Sequence, residues 1–210
     1  MDHLDIVRSC EHDFARFGDT FLGAGWTKAE DQADRRYSVM LDLMTGQARP
    51  YSLLDFGCGS ARLLDYAVRT GNADGMIYSG LDLSASVIDH CRAKYRDRTF
   101  YCLDVLDQRD EQRVLPVFDA VVLNGVFHYK GEIPHDQMFV YFCSLLDALR
   151  PHARFGISFN VMSTHVEWQR DDLFHLPIEQ ATDFIASNIS RRFVVRQDYG
   201  LYEYTIYVYP

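Results

Sequence analysis

The 210-residue sequence lacks several features that mark specialised classes of protein. No apolar run approaches the roughly 20 residues that a membrane-spanning helix requires, and the N-terminus has no apolar core of signal-peptide length. There is no repeat, no low-complexity tract and no linker rich in proline, glycine or serine. These absences predict one soluble globular unit in the cytoplasm, without a membrane partner.

The cysteines and the charged residues exclude further classes. The five cysteines are odd in number and scattered, and none forms a CxxC pair with zinc-ligand spacing, so a reducing compartment is favoured. His165, Glu167 and His175 share no predicted rigid face, and we expect no metal site. The formal net charge of −9, without a run of lysine and arginine, argues against a nucleic-acid partner. The oligomeric state is not indicated.

What the sequence does contain is an alternation of strand-like and helix-like segments. Ala33, Tyr37 and Met40 recur at helical spacing and predict an amphipathic helix from about Lys28 to Gly46. From Tyr51 onward, short apolar runs alternate with helical patterns, which is typical of βαβ units. The runs that predict strands are SLLDF, MIYSGLDL, TFYCLDV, FDAVVLN and ARFGISFN.

The end of the sequence follows a different pattern. RRFVVRQDY and LYEYTIYVY are two strand-like runs separated by a short turn, the spacing of an antiparallel hairpin. We therefore predict an α/β fold: an open, mostly parallel sheet, covered by helices on both faces, with an antiparallel edge. Residues 1–50 would form a helical N-terminal extension and residues 51–210 the main domain.

The first predicted strand ends in a glycine-rich turn, Asp55-Phe56-Gly57-Cys58-Gly59-Ser60-Ala61. Glycine has no Cβ, so such a turn allows a ligand to approach the backbone while the next helix presents its N-terminal amides. A dinucleotide-binding fingerprint would have glycine where this sequence has Arg62, which disfavours an NAD-binding turn. Asp55 could also simply cap the following helix.

Three further strands end in polar residues. Asp82 can accept hydrogen bonds from the two hydroxyls of a ribose, or it can cap the helix that begins near Ser84. Asp104 can accept from an exocyclic adenine amine, and Asn124 ends the fourth strand. Because ligands of open α/β sheets bind at the carboxyl ends of the strands, these residues predict a nucleoside site.

Together these residues resemble the class I S-adenosylmethionine-dependent methyltransferases. DFGCGSA is similar to the glycine motif of that family, with Ala61 in place of its third glycine, and the tail hairpin agrees with the family's Rossmann-like seven-stranded sheet and antiparallel last strand. The resemblance implies S-adenosyl-L-methionine as the cofactor. It also implies a set of cofactor-binding residues: Asp55 and Gly57 on the methionine moiety, Asp82 on the ribose, Asp104 on the adenine amine, Leu83 and Val105 flanking the adenine, and Asn124 on the methionine amino group. Phe56, Gly59, Ala61 and Gly125 are implied as further cofactor-binding residues.

The N-terminal segment GWTKAEDQADRRYSVML resembles the helix that covers the cofactor in small bacterial members of the family. In those members an arginine can grip the methionine carboxylate. The resemblance implies this role for Arg36, with Arg35 as the alternative, since a guanidinium can bind a carboxylate through two hydrogen bonds.

The acceptor side is less well defined. His128 is our candidate general base, with Tyr129 as a second catalytic candidate, although His128 could instead only pack or orient a loop. Trp26 and Asn160 are substrate candidates, and residues 163–177 are long enough to form a lid. We interpret the tyrosines near the C-terminus as sheet packing.

Family members that methylate nucleic-acid bases typically carry an Asn/Asp-Pro-Pro-aromatic tetrad after the fourth strand, whereas this sequence has NGVF. The resemblance therefore implies O- or N-methylation of a small molecule, in secondary-metabolite or glycan biosynthesis. Two alternatives stay open at this point: a non-catalytic nucleoside-binding or regulatory protein, and an NAD-dependent oxidoreductase.

Overall fold

A computed structural model describes residues 4–20, 23, 30–107 and 115–210. It contains one seven-stranded sheet with helices on both faces. The strands are β1 (Tyr51–Phe56), β2 (Met76–Asp82), β3 (Thr99–Cys102), β4 (Phe118–Phe127), β5 (Ala153–Met162), β6 (Phe193–Arg196) and β7 (Glu203–Val208). The α-helices are α1 (Leu4–Phe17), α2 (Glu30–Leu41), α3 (Arg62–Thr70), α4 (Ala85–Lys94), α5 (His135–Leu149) and α6 (Ile178–Asn188).

The strand order is β3-β2-β1-β4-β5-β7-β6, and only β7 runs against the others. The chain winds outward from β1 to β3 and then crosses back to β4 on the other side of β1. This reversal places a crevice at the carboxyl ends of β1 and β4, where open α/β sheets bind their ligands. The predicted fold class is confirmed.

The central strands are apolar on both faces because helices cover both sides of the sheet. On one face, Phe142 of α5 packs edge-on against Phe127 and Phe159, with ring centroids 4.9 and 5.5 Å apart. On the other face, Leu64 of α3 and Ile88 of α4 are fully buried. Burial on both faces explains why β1 and β4 read as continuous apolar runs rather than as alternating patterns.

The predicted C-terminal hairpin is confirmed, with β6 and β7 paired antiparallel from Phe193 opposite Val208. β7 also pairs with β5, so it lies between β5 and β6. An antiparallel strand begins at the edge where its parallel neighbours end. Glu203, the first residue of β7, therefore pairs with Met162, the last residue of β5.

The N-terminal helices lie on the side of the sheet that carries α3 and α4. The described part of the predicted Lys28–Gly46 helix is α2, which ends at Leu41 and continues as a 3₁₀ turn. Gly46 follows with a φ of +78°, as expected of a residue that ends a helix. Helix α1 contacts α4 through Phe14 and His90. Among the described residues, no helix has the length and apolar character needed to cross a membrane.

Candidate functional site

A cavity of about 550 Å³ opens at the carboxyl ends of β1, β2 and β4, beneath α1 and α2. Most of the predicted site residues line it: Arg36, Asp55, Phe56, Gly57, Gly59, Asp82, Leu83, Asn124, Gly125, His128 and Tyr129. Four predicted residues of the described chain do not line it: Ala61, Asp104, Val105 and Asn160. The substrate candidate Trp26 lies outside the described residues.

The glycine turn has the backbone that its composition predicts. Gly57 and Gly59 have φ angles of +68° and +50°, which side-chain-bearing residues rarely adopt. A Cβ on Gly57 would lie 2.7 Å from the Cγ2 atom of Val126. A Cβ on Gly59 would meet nothing within 4 Å, so it would enter the open cavity. The turn thus leaves room for a ligand to contact the backbone.

Ala61 ends the glycine turn and does not line the cavity. Its φ of +61° is left-handed, and it is the N-terminal flanking residue of α3. Its side chain is fully buried among the apolar residues beneath the turn and does not reach the cavity. Alanine here keeps the backbone conformation of a glycine at a cost of about 1–2 kcal/mol.

Asp55 is a buried carboxyl at the end of β1. It is 3% exposed and accepts a hydrogen bond of 2.7 Å from the hydroxyl of Tyr78. Burial raises its pKa to about 7, against the lowering effect of that hydrogen bond, and nearby Asp82 raises it further. Asp55 therefore exchanges its proton near neutral pH, and a cationic ligand group beside it would favour the ionised form.

Asp82 is held by the backbone on both oxygens. The Gly59 amide donates to Oδ2 and the Ser84 amide to Oδ1, each at 3.0 Å. Burial raises the pKa of Asp82, and these backbone donors oppose that rise. The helix cap is made by another residue, because the Ser84 hydroxyl accepts from the Val87 amide at 3.4 Å. The carboxylate is thus fixed in orientation and keeps lone pairs for two ligand hydroxyls.

Asp104 makes a local hydrogen bond and does not line the cavity. Its Oδ1 atom accepts from the Leu106 amide at 2.9 Å, a local turn that follows β3. Val105 packs against the core on the α5 side of the sheet. Both residues follow β3, which pairs with β2 at the edge of the sheet.

Asn160 is fully buried and binds its neighbours rather than the cavity. Its Oδ1 atom accepts from the Gly125 amide at 2.7 Å. Its Nδ2 atom donates to Oδ1 of Asn124 at 3.1 Å and to Oε1 of Glu203 at 2.8 Å. These contacts hold the end of β4, and Asn160 does not line the cavity.

Glu203 is the main residue of the site that our sequence analysis missed. It is 1% exposed, lines the cavity, and accepts from Nε of Arg36 at 2.7 Å. A buried carboxylate is costly unless it is paired, and here Arg36 provides the pairing charge. Arg35, the alternative to Arg36, donates instead to the carbonyl oxygen of Tyr199 and is not part of the cavity wall. An acidic residue inside an apolar strand was the available signal.

His128 lies between this ion pair and the acceptor side of the cavity. Its buried Nε2 atom is 3.6 Å from Oε2 of Glu203. Burial lowers the pKa of His128 to about 4, although Glu203 opposes the lowering, while Arg36 and His175 add to it. The imidazole is therefore neutral near pH 7 and able to accept a proton, and Glu203 is placed to stabilise the resulting cation.

Residues 163–177, the segment predicted as a lid, bind the end of β5 and the loop after β4. The Phe174 amide donates to the carbonyl of His128 at 2.8 Å, and the Leu176 amide donates to the carbonyl of Met162 at 3.0 Å. His175 is buried, with Nδ1 2.7 Å from the carbonyl oxygen of Ser163. The described residues contain no cluster of histidine, cysteine and carboxylate side chains able to hold a metal ion.

One carboxylate connects helix α1 to the glycine turn. Asp19, just beyond α1, accepts from the Ser60 hydroxyl at 2.7 Å, from Arg62 at 3.0 Å and from Lys94 at 2.9 Å. Burial opposes ionisation, but the hydrogen bonds from Lys94 and Ser60 outweigh it and lower the pKa of Asp19 to about 2. Because α1 contributes residues such as Cys10 to the cavity wall, this cluster fixes one side of the site.

The site therefore has two parts. One is a glycine turn with an oriented carboxylate on the next strand, which suits the ribose and amino-acid ends of a nucleoside ligand. The other is a histidine beside a buried carboxylate, beneath the lid. A ligand in the first part and an acceptor in the second would share one cavity.

Comparison with known proteins points to one chemistry. Residues 54–155 match the methyltransferase domain family. Rv1506c of Mycobacterium tuberculosis, a protein named as a methyltransferase, is 28% identical over 166 residues, which cover 77% of this chain and 94% of that protein.

Solved structures share the fold at low sequence identity. The magnesium protoporphyrin IX methyltransferase of Synechocystis PCC 6803, crystallised with S-adenosylmethionine, superposes with a TM-score of 0.65 at 15% identity, over 100% of this chain and 98% of that one. The plantazolicin methyltransferase BpumL, crystallised with a substrate analogue and S-adenosylhomocysteine, gives a TM-score of 0.61 at 12% identity, over 99% and 98% of the two chains.

Proposed function

We propose that this chain, a class I S-adenosylmethionine-dependent methyltransferase, transfers a methyl group to a small-molecule acceptor by O- or N-methylation. The observation that carries the proposal is the single cavity that joins the glycine turn to His128. The names of the two similar enzymes described above give a porphyrin and plantazolicin as their substrates, and both substrates are consistent with a small acceptor. We also propose that the acceptor belongs to secondary-metabolite or glycan biosynthesis.

The residues of this chain fit the proposed cofactor. Gly59 leaves open space beside the turn, and Asp82 presents an oriented carboxylate to the ribose hydroxyls. Asp55 lies where it can pair with the methionine ammonium, and Arg36 lines the same cavity for the methionine carboxylate. The Nε atom of Arg36 donates to Glu203, which orients the guanidinium at the cavity wall. When bound, the cofactor supplies an activated sulfonium methyl group.

The protein then has little covalent chemistry to perform. It holds the acceptor in line with the methyl group and keeps water out, which can lower the barrier by up to roughly 7–11 kcal/mol in favourable cases. His128 takes the acceptor proton where the nucleophile carries one. Glu203, 3.6 Å from Nε2 of His128, stabilises the charge that develops.

Calorimetric titration with S-adenosylhomocysteine tests the cofactor assignment, with NADH as the control ligand. We expect micromolar binding of the first and no binding of the second. Asp82→Ala should lower the affinity for S-adenosylhomocysteine at least about tenfold, because two ribose hydrogen bonds to a charged group are lost. Asp89→Ala is the matched control, since Asp89 is exposed on α4. Unchanged affinity in Asp82→Ala would contradict the ribose assignment.

His128→Ala tests the base. At saturating cofactor we expect kcat to fall about 100-fold or more, with the affinity for S-adenosylhomocysteine unchanged. Turnover also separates the proposal from a non-catalytic nucleoside-binding protein, which would bind the ligand without forming product. If His128→Ala keeps full activity and the same pH–rate profile, the base is another group.

A further inference from the structure

Three aromatic side chains, together called the aromatic wall here, line the cavity, and two of them adjoin His128 or Glu203 in the sequence. Tyr129, Trp168 and Tyr202 are 38%, 39% and 39% exposed, although aromatic side chains of this size are usually much more buried. All three line the cavity. The rings of Trp168 and Tyr202 meet edge to face, with centroids 5.3 Å apart. Their exposed area is thus concentrated at the site, where a bound molecule would cover it.

The aromatic wall is held in place by the backbone. The Ser163 amide donates to the carbonyl of Tyr202 at 3.0 Å, at the start of the lid. Farther along, the Lys130 amide donates to the carbonyl of Asp172 at 2.9 Å, and Tyr129 forms a β-bridge with Leu173. A wall that is already ordered does not spend binding energy on being ordered when it meets its ligand.

The charges beside the aromatic wall are paired within the protein. Glu203 receives Nε of Arg36, and Arg170 binds Asp172 through two guanidinium nitrogens. An acceptor with a net charge would have to compete with the buried Arg36–Glu203 pair, whereas an uncharged acceptor would not. The wall therefore favours an uncharged, planar molecule, since aromatic rings gain from edge and stacked contacts with one another.

The proton acceptor next to the wall selects among such molecules. A buried neutral histidine is a weak base, so it is more effective with an acceptor whose proton leaves easily. A phenolic hydroxyl, with a pKa near 10, loses its proton far more easily than an aliphatic hydroxyl. His128 is therefore better matched to an aromatic hydroxyl.

We propose that Tyr129, Trp168 and Tyr202 form an acceptor subsite for an uncharged aromatic hydroxyl compound, a phenol or a hydroxylated heteroaromatic ring. The inference rests on the proposed function and narrows it to aromatic O-methylation. In the step, the hydroxyl oxygen bonds to the methyl carbon as the carbon–sulfur bond breaks, and the bonding pair stays on sulfur. The hydroxyl proton goes to His128 and then to water, leaving an aryl methyl ether and S-adenosylhomocysteine.

The test uses the full chain saturated with S-adenosylhomocysteine, and calorimetry with a panel of one- to three-ring phenols and their ring-saturated counterparts. We expect the best phenol to bind at least about tenfold more tightly than its saturated counterpart. Trp168→Ala should remove most of that preference while S-adenosylhomocysteine affinity stays within about twofold. Val140→Ala, an exposed apolar position on α5, is the matched control. Labelled S-adenosylmethionine should yield the methyl ether of the best-binding phenol.

A wrong cofactor assignment and a wrong aromatic subsite give different results in this experiment. If S-adenosylhomocysteine does not bind, the proposed function is wrong. If it binds but no phenol is preferred over its saturated counterpart, or if Trp168→Ala keeps the full preference, the aromatic subsite is wrong and the methyltransferase assignment stands. If Trp168→Ala is unstable, the preference for phenols is measured instead in Tyr202→Phe, Tyr202→Leu and Tyr129→Leu. Loss of this preference in the leucine variants, with retention in Tyr202→Phe, supports the subsite.

Discussion

Replacement of Asp55 by asparagine should change how the stability of this protein depends on pH. Asp55 is buried and its pKa rises to about 7 from an ordinary value of 3.8. At a pH between these two pKa values, Asp55 keeps its proton in the folded protein and loses it in the unfolded chain. The stabilisation that the protonated carboxyl provides is therefore complete below about pH 4. That stabilisation is lost as the pH rises through 7. Asparagine cannot ionise, but its Oδ1 atom can still accept from the hydroxyl of Tyr78.

The size of the effect follows from the two pKa values. The interval between 3.8 and about 7 corresponds to about 4 kcal/mol of free energy of unfolding, at about 1.4 kcal/mol for each tenfold change in proton affinity. We therefore expect wild type and Asp55→Asn to be of similar stability near pH 4. Toward pH 8 the free energy of unfolding of the variant should exceed that of wild type by up to about 4 kcal/mol.

Urea denaturation at half-unit intervals from pH 4 to 8, followed by circular dichroism, measures this difference. Other titrating groups cancel when the two proteins are subtracted, and Asp89→Asn controls for the loss of a surface carboxylate. A stability difference between Asp55→Asn and wild type that does not change across this range would refute the argument, because it would mean that Asp55 ionises alike in the folded and unfolded chain.

Two other contacts give further predictions. Glu203→Gln keeps an acceptor for its neighbours but leaves the charge of Arg36 buried without its partner, so the free energy of unfolding should fall by about 3–5 kcal/mol. The control Glu132→Gln, on the surface, should leave the free energy of unfolding almost unchanged. Equal losses in the two variants would argue against the ion pair. Asp19→Asn should lower the free energy of local unfolding of α1 by about 1 kcal/mol at pH 7, after allowance for solvent screening. Amide hydrogen exchange in α1 should therefore become faster. The low pKa of Asp19 makes that stabilisation present above about pH 4 and lost as the pH falls toward 2, so an exchange difference that grows on acidification would contradict it.

Much of the fold and half of the site could be predicted from local patterns. Continuous apolar runs gave the strands, because strands covered on both faces tolerate little polarity. The glycine turn and Asp82 were predictable because turn chemistry and the end of a parallel strand fix them within a few residues. Asp104 shows the limit of local patterns: it follows a strand as expected, but its Oδ1 atom accepts from the Leu106 amide and it does not line the cavity.

The rest of the site depends on contacts between distant parts of the chain. Glu203 and Arg36 are 167 residues apart, and no local pattern pairs them. They meet because β7 enters the sheet antiparallel beside β5, so its first residue lies at the edge where the parallel strands end. The sequence by itself determined the strands, the hairpin and the glycine turn, since those follow from short-range periodicity and backbone geometry. Only the tertiary structure decided which carboxylate would stand beside His128, because that depends on the direction and order of strands far apart along the chain.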